Sequence, residues 1–79
     1  MNLFLISQSV NKDYDAYDSA VVVAEDEWKA AVIHPGGLCA TSGWVGSPSD
    51  VKVDYLGKAS FVAIKLAKHG VICASFNAG

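Results

Sequence analysis

The chain has 79 residues, of which 52% are hydrophobic and 18% are charged, and this composition is too apolar for an intrinsically disordered protein. At this length a single domain over residues 1–79 is expected. The eight carboxylates and six lysines leave a formal net charge of −2, and there is no arginine. Because arginine is the preferred residue for bidentate contacts to phosphates and bases, direct binding of nucleic acid is not expected.

Charge is unevenly distributed along the sequence. Residues 1–30 contain six acidic residues and two lysines, for a net charge of −4, whereas residues 31–79 contain two acidic residues and four lysines, for +2. An acidic surface of this kind suits a basic partner. It serves equally well as a solvated face that keeps a small protein soluble, and the sequence leaves both interpretations open.

Two strands begin the predicted fold. Leu3–Ser7 carries apolar side chains on both faces, which is typical of a central strand. Ser19–Ala24 contains three consecutive valines and is predicted to pair with the first strand as a wide antiparallel hairpin. The segment between them is rich in Asn, Asp and Ser, which predicts a loop at one end of the sheet.

A helix is predicted over Glu25–His34. Its first turn is acidic, which favours the positive end of the helix dipole, and Pro35 with the glycines after it ends the helix. Trp28, Ala31 and Val32 are spaced at i, i+3 and i+4, so they are predicted to pack on the sheet.

The middle of the chain combines an irregular segment with a strand. Gly36–Ser49 is rich in glycine and is predicted to be a loop anchored in the core or in an interface by Trp44. Val51–Leu56 alternates apolar and charged residues, which predicts a half-exposed strand that ends at Gly57.

The last two predicted elements are a short helix and a strand. Ala59–Lys68 contains good helix formers, and Phe61, Ile64 and Leu66 are predicted to form an apolar patch on it. Gly70–Phe76 is an apolar strand. The order β-β-α-β-(α)-β predicts an α+β fold with a four-stranded, mostly antiparallel sheet and one or two helices packed on one face.

Calcium and zinc sites are not predicted. Asp13, Asp15 and Asp18 resemble the start of an EF-hand loop, but the glycine and glutamate required later in that loop are missing. The two histidines and two cysteines do not have the spacing of a zinc knuckle. No metal and no cofactor are therefore expected.

The two cysteines do not predict catalysis. Cys39, in the glycine-rich loop, is expected to be inert or to link a dimer, since a cysteine with a histidine elsewhere in the chain is a weak catalytic signal. Cys73 lies in an apolar strand, where a buried free thiol is common. The protein is expected not to be an enzyme.

No membrane partner is expected. The apolar N-terminal run lacks a basic region and is too short for a signal peptide. The longest apolar runs are far shorter than the ~20 residues that a membrane-spanning helix needs. A cytoplasmic protein is therefore predicted.

The strongest functional signal is the acidic, tyrosine-containing stretch Asp13–Glu27. Carboxylates at intervals along a surface can resemble backbone phosphates, and tyrosines supply the rigid contact area that is common at interfaces. The alternative is an ordinary solvated loop. The predicted partner-binding residues are Asp13, Tyr14, Asp15, Tyr17, Asp18, Glu25, Asp26 and Glu27.

Four segments resemble a group of small phage and prophage proteins. They are L-F-L-I-S-Q-S-V-N-K-D-Y-D-A-Y-D-S-A-V-V-V-A-E at Leu3–Glu25, I-H-P at Ile33–Pro35, D-V-K-V at Asp50–Val53 and G-V-I-C-A-S-F-N-A-G at Gly70–Gly79. Within that group the chain also resembles small anti-CRISPR proteins directed at the type I-C system.

The resemblance implies a non-enzymatic inhibitor in the cytoplasm of the host bacterium. Such a protein binds Cas subunits of a multisubunit surveillance complex and covers their basic DNA-binding surface as a DNA mimic. The alternative is a small structural or accessory phage protein, a homodimeric interaction module that associates through an exposed strand edge or Trp44.

Overall fold

The computed structural model describes residues 1–9, 16–36, 44–45 and 48–77, so the predictions for Asp13, Tyr14, Asp15 and Cys39 lie outside the described residues. The elements within these ranges are β1 (Asn2–Ser7), β2 (Ala16–Ala24), α1 (Glu27–Ala31), a 3-10 turn (Pro48–Asp50), β3 (Lys52–Lys58), α2 (Phe61–Leu66) and β4 (Val71–Asn77).

The four strands form one antiparallel sheet in the order β3-β1-β2-β4. β1 and β2 pair from Asn2 opposite Ala24 to Ser7 opposite Ser19, which confirms the predicted hairpin. These two strands are central because they carry apolar side chains on both faces, and β3 and β4 form the edges. The predicted α+β fold with a four-stranded sheet is confirmed.

The core lies on the face of the sheet that carries Phe4 and Ile6. Cross-strand pairing places Val22 opposite Phe4 and Ala20 opposite Ile6, and all four side chains are almost fully buried. Burial of a large apolar side chain stabilises a fold by about 1.5–3 kcal/mol. Ala30 of α1, which is 0% exposed, covers this cluster.

The helix α1 is shorter than predicted at both ends. It begins after Asp26, whose carboxylate accepts a hydrogen bond from the backbone N–H of Lys29 at 2.8 Å and so acts as the N-cap. It ends at Ala31, before the predicted end at His34.

The side of α1 that packs on the sheet also differs from the prediction. Ala30 and Ala31 are buried, whereas Trp28 is 67% exposed and Val32 is 51% exposed, so the predicted stripe is correct only at Ala31. Residues two positions apart lie about 200° apart around a helix, and contact through Ala30 therefore turns Trp28 and Val32 outward. The small alanine side chains allow the helix to approach the sheet closely.

The strand β3 continues through Gly57, where it was predicted to end. Leu3 of β1 pairs with Gly57 and Phe4 pairs with Tyr55, so one extra residue of β3 forms a bulge. Gly57 has φ +142°, a conformation that glycine adopts readily, and this freedom lets the strand pass through the irregularity.

The helix α2 is shorter than predicted and contributes no buried side chain. Its N-cap is Ser60, whose hydroxyl oxygen accepts a hydrogen bond from the backbone N–H of Ala63 at 3.1 Å. The apolar patch predicted for this helix therefore lies on the outside of the molecule. Of the two α-helices in the described residues, α1 is the one that packs on the core face.

Two predictions about single residues have opposite outcomes. Trp44 is half-buried and packs against the core cluster, which confirms its predicted role as an anchor in the core. Cys73 is exposed, so the prediction of a buried thiol is wrong. The reason is that Cys73 pairs with Val21, on the face of the sheet opposite the core, and that β4 is an edge strand, which its apolar sequence does not reveal.

Candidate protein-binding surface

The predicted acidic partner-binding residues that fall in the described ranges lie at two ends of β2. Asp18 is near the start of this strand, whereas Glu25, Asp26 and Glu27 follow its last residue. At a rise of about 3.3 Å per residue, Asp18 and Glu25 are about 23 Å apart. The surface therefore has two separate acidic groups, one at each end of β2. We call these two ends of the sheet the Asp18 end and the Glu25 end.

The Asp18 end contains a β-bulge. Tyr17 and Ser19 pair with successive residues of β4, so Asp18 is the extra residue of β2. The backbone N–H of Gln8 donates to the backbone carbonyl oxygen of Asp18 at 3.1 Å. The side-chain amide of Gln8 donates to the backbone carbonyl oxygen of Tyr17 at 2.8 Å. A bulge changes the direction of neighbouring side chains, and Asp18 is exposed in this arrangement.

The Tyr17 side chain makes contacts within the fold. Its ring contacts the His34 ring edge to face, with centroids 6.1 Å apart and an interplanar angle of 87°. His34 in turn accepts a hydrogen bond at Nδ1 from the backbone N–H of Gly36 at 2.9 Å. Tyr17 is half-buried, so only part of its ring is accessible to a partner.

The Glu25 end carries three consecutive exposed carboxylates, and two of them have contacts within α1. Glu25 pairs with Lys29 at 3.1 Å between Oε2 and Nζ, and an exposed i,i+4 pair of this kind contributes only about 0.3–0.5 kcal/mol. Asp26 is the N-cap of α1. Glu27 lies in the first turn of the helix, where a negative charge interacts favourably with the helix dipole.

Trp28 follows these carboxylates directly and is the functional candidate that the sequence reasoning missed. Its side chain is 67% exposed, although an aromatic residue of this size usually buries most of its surface. Tryptophan is enriched among the residues that dominate binding energy at interfaces. The signal in the sequence is the adjacent pair Ala30 and Ala31, because two small residues facing the sheet place Trp28 on the outer side.

The Glu25 end also carries basic charge. Asn2 pairs with Ala24 on one side and with Lys58 on the other, so Lys58 is two strands away from the end of β2, at about 10 Å. The exposed helix α2 follows Lys58 in the chain. A lysine and the start of an exposed helix therefore lie at the same end of the sheet as the acidic group.

The described ranges, residues 1–9, 16–36, 44–45 and 48–77, contain no group of three or more His, Cys, Asp or Glu side chains placed to bind a metal ion. Within the same ranges, no helix has both the length and the apolar character required to cross a membrane.

Comparisons with known proteins identify no relative. No protein-family model, curated protein or solved structure matches the chain. The function is therefore inferred from the exposed residues at the two ends of the sheet.

Proposed function

We propose that this protein is a non-enzymatic, phage-encoded inhibitor that acts in the host cytoplasm by binding a CRISPR-Cas surveillance complex of the type I-C kind. The observation that supports this proposal most directly is the exposed Trp28 beside the exposed carboxylates Glu25, Asp26 and Glu27. An aromatic anchor bordered by negative charge suits a partner surface lined by lysine and arginine. Binding there excludes target DNA and requires neither a cofactor nor a catalytic residue.

The two kinds of side chain contribute differently to binding. Carboxylates at the surface accelerate encounter with a basic partner, and this contribution weakens as salt screens the charges. Trp28 contributes mainly to the lifetime of the complex, since it has a large exposed area to bury in a pocket of the partner.

The distance between the two acidic groups is compatible with imitation of DNA. Phosphates of one DNA strand recur at about 3.4 Å along the helix axis, so the separation of about 23 Å between Asp18 and Glu25 spans about seven of them. A groove that holds a DNA strand can therefore contact both ends of β2. In this proposal the Glu25 end dominates, because only there does an exposed tryptophan accompany the carboxylates.

The test is a DNA-binding gel shift of a purified type I-C surveillance complex. The unmodified protein is expected to abolish the shifted band. The double variant Glu25→Lys/Glu27→Lys is expected to restore it, and Asp26 is left intact because it caps α1. The comparison variant is Asp18→Lys/Asp50→Lys, which changes the net charge equally at the opposite end of the sheet and is expected to restore the band less. Asp50 lies at that end because it precedes Lys52, the partner of Ser7.

Two results would contradict the proposal in different ways. Normal DNA binding in the presence of the unmodified protein, without co-elution, would exclude the type I-C partner. Restoration by the Asp18→Lys/Asp50→Lys variant alone would transfer the binding surface to the Asp18 end. A third variant, Asp13→Lys/Asp15→Lys, tests the neighbouring acidic segment in the same assay.

A structural or accessory phage protein is the second candidate. It is favoured by the exposed apolar side chains of α2, where Phe61 is 73%, Val62 63% and Leu66 67% exposed. Several exposed apolar side chains on one short helix are characteristic of an interaction module. An unmodified protein that self-associates in light scattering and leaves the gel shift unchanged would support this candidate.

A further inference from the structure

The two edges of the sheet differ in their protection against pairing with another strand. The β3 edge carries Lys52, Asp54 and Lys58 and contains the bulge at Gly57. Charged side chains on an edge strand are one of the features by which natural sheets prevent edge-to-edge association. By contrast, β4 has the sequence V-I-C-A-S-F-N, with no charged residue and no proline, although it too has a bulge, at Ile72. The side chains of Cys73, Ala74 and Ser75 are exposed.

The outer edge of β4 is covered at its first residue. Val71 and Lys68 exchange two backbone hydrogen bonds of 2.9 Å, across a tight turn in which His69 and Gly70 have positive φ. The N–H and C=O groups of one residue of a strand point to the same side. Val71 uses both groups to bond Lys68, so Lys68 lies on the side of β4 that faces away from β2. Leu66, which is 67% exposed, precedes it on the chain.

The next outward-facing backbone position is Ala74. Val22 of β2 pairs with Val71, and Ala20 pairs with Ala74. Val21 pairs with Cys73, so Ile72 is an extra residue of β4 between these two pairs. Ala20 and Val22 are alternate residues of β2 and have the same role in the antiparallel ladder, so Ala20 relates to Ala74 as Val22 relates to Val71. The N–H and C=O of Ala74 therefore point away from β2, at the middle of an exposed and uncharged segment.

We propose that β4 is a docking edge for a second copy of this chain, with the two β4 strands antiparallel and Ala74 opposite Ala74 at the two-fold axis. The two sheets then form one continuous eight-stranded sheet. This inference is independent of the proposed inhibition, since no residue of the acidic groups takes part in it.

A second copy is the occupant that the composition of β4 favours. A two-fold interface brings a surface against itself, and an uncharged strand meets no like charge when it does so. Self-pairing of β3 would instead bring lysines close to lysines. The small side chains of Ala74 and Ser75 also leave room for an adjacent strand.

The dimer is expected to be weak. The part of β4 after Val71 is six residues long, which corresponds to about 20 Å of strand. An interface of this extent, with Leu66 at its border, lies below the ~1,200 Å² of total buried surface that standard stable interfaces reach. Association is therefore expected at a protein concentration of about 10–100 μM or above, and measurements must cover that range.

The first test is sedimentation of the purified protein over a concentration series under reducing conditions. The mass is expected to rise from the 8.3 kDa of one chain towards twice that value. The variant Ala74→Lys, which places a charge in the open edge, is expected to remain at the monomer mass. The matched control Leu56→Lys introduces the same charge at an exposed position of β3 and is expected to dimerise like the unmodified protein.

The second test does not depend on a substitution. Hydrogen exchange of the Ala74 amide is expected to slow as the protein concentration rises, because the dimer provides this amide with an acceptor. A constant monomer mass, unimpaired dimerisation of Ala74→Lys, or concentration-independent exchange at Ala74 would each overturn the proposal. None of these results bears on the gel shift, so the two proposals fail or succeed separately.

Discussion

Ala30 determines the orientation of α1 on the sheet. Its methyl group is fully buried against the core, whereas Val32, the C-cap of the same helix, is 51% exposed. The substitution Ala30→Leu overpacks this contact and is expected to reduce the free energy of unfolding by about 1–3 kcal/mol. Val32→Leu is the control, expected to change it by less than about 0.5 kcal/mol. Urea denaturation of both variants measures the difference, and equal effects would contradict this account of α1.

Asp26 makes a structural contribution that its acidic neighbour Glu27 does not share. Its carboxylate caps α1 through the backbone N–H of Lys29. Asp26→Ala is expected to lower the free energy of unfolding by about 1 kcal/mol, whereas Glu27→Ala, which loses only an interaction with the helix dipole, is expected to cost about 0.3 kcal/mol. Thermal unfolding distinguishes them. A larger loss from Glu27→Ala would show that the cap contributes little.

At the scale of elements, β1 and α2 differ in what their apolar residues do. Ile6 of β1 is 0% exposed, and Ile64 of α2 is 39% exposed. Ile6→Ala is expected to cost about 2–5 kcal/mol, because it leaves a cavity in the core. The same change at Ile64 is expected to cost less than about 1 kcal/mol. Chemical denaturation of the two variants tests this, and similar losses would mean that α2 is part of the core.

The turn between α2 and β4 depends on a glycine. Gly70 has φ +84°, and a Cβ added there would lie 2.9 Å from Cδ1 of Ile33 and 3.4 Å from the carbonyl oxygen of Val23. Gly70→Ala is expected to destabilise the fold by about 1–3 kcal/mol, through backbone strain and this crowding. Gly57→Ala adds strain at φ +142° but meets no atom within 4 Å, so it is expected to cost less. Melting temperatures of both variants test this order.

At the scale of the whole molecule, the strands and their hairpin could be predicted from local pattern. Apolar residues on both faces of Leu3–Ser7 specify a central strand, and the three valines of β2 specify its neighbour. The order of the elements then defines the fold class. These features are predictable because each depends on residues close together in the sequence.

The features that were not predicted depend on long-range geometry. The apolar spacing of Trp28 and Val32 is helical, but which side of α1 faces the sheet is decided by the contact that Ala30 makes. The exposure of Cys73 depends on the position of β4 at the edge of the sheet, which cannot be predicted from the sequence of β4 alone. The separation of the acidic residues into two groups follows from the length of β2, which begins at Ala16.

The two acidic groups are expected to contribute unequally to binding of a surveillance complex. The most direct measurement is the affinity of immobilised type I-C complex for the unmodified protein, for Glu25→Lys/Glu27→Lys and for Asp18→Lys/Asp50→Lys, at physiological ionic strength. The account predicts that reversal at the Glu25 end weakens binding at least about tenfold, mainly by slower association, while reversal at the Asp18 end has a smaller effect. Equal affinity of all three proteins, or greater loss at the Asp18 end, would contradict it.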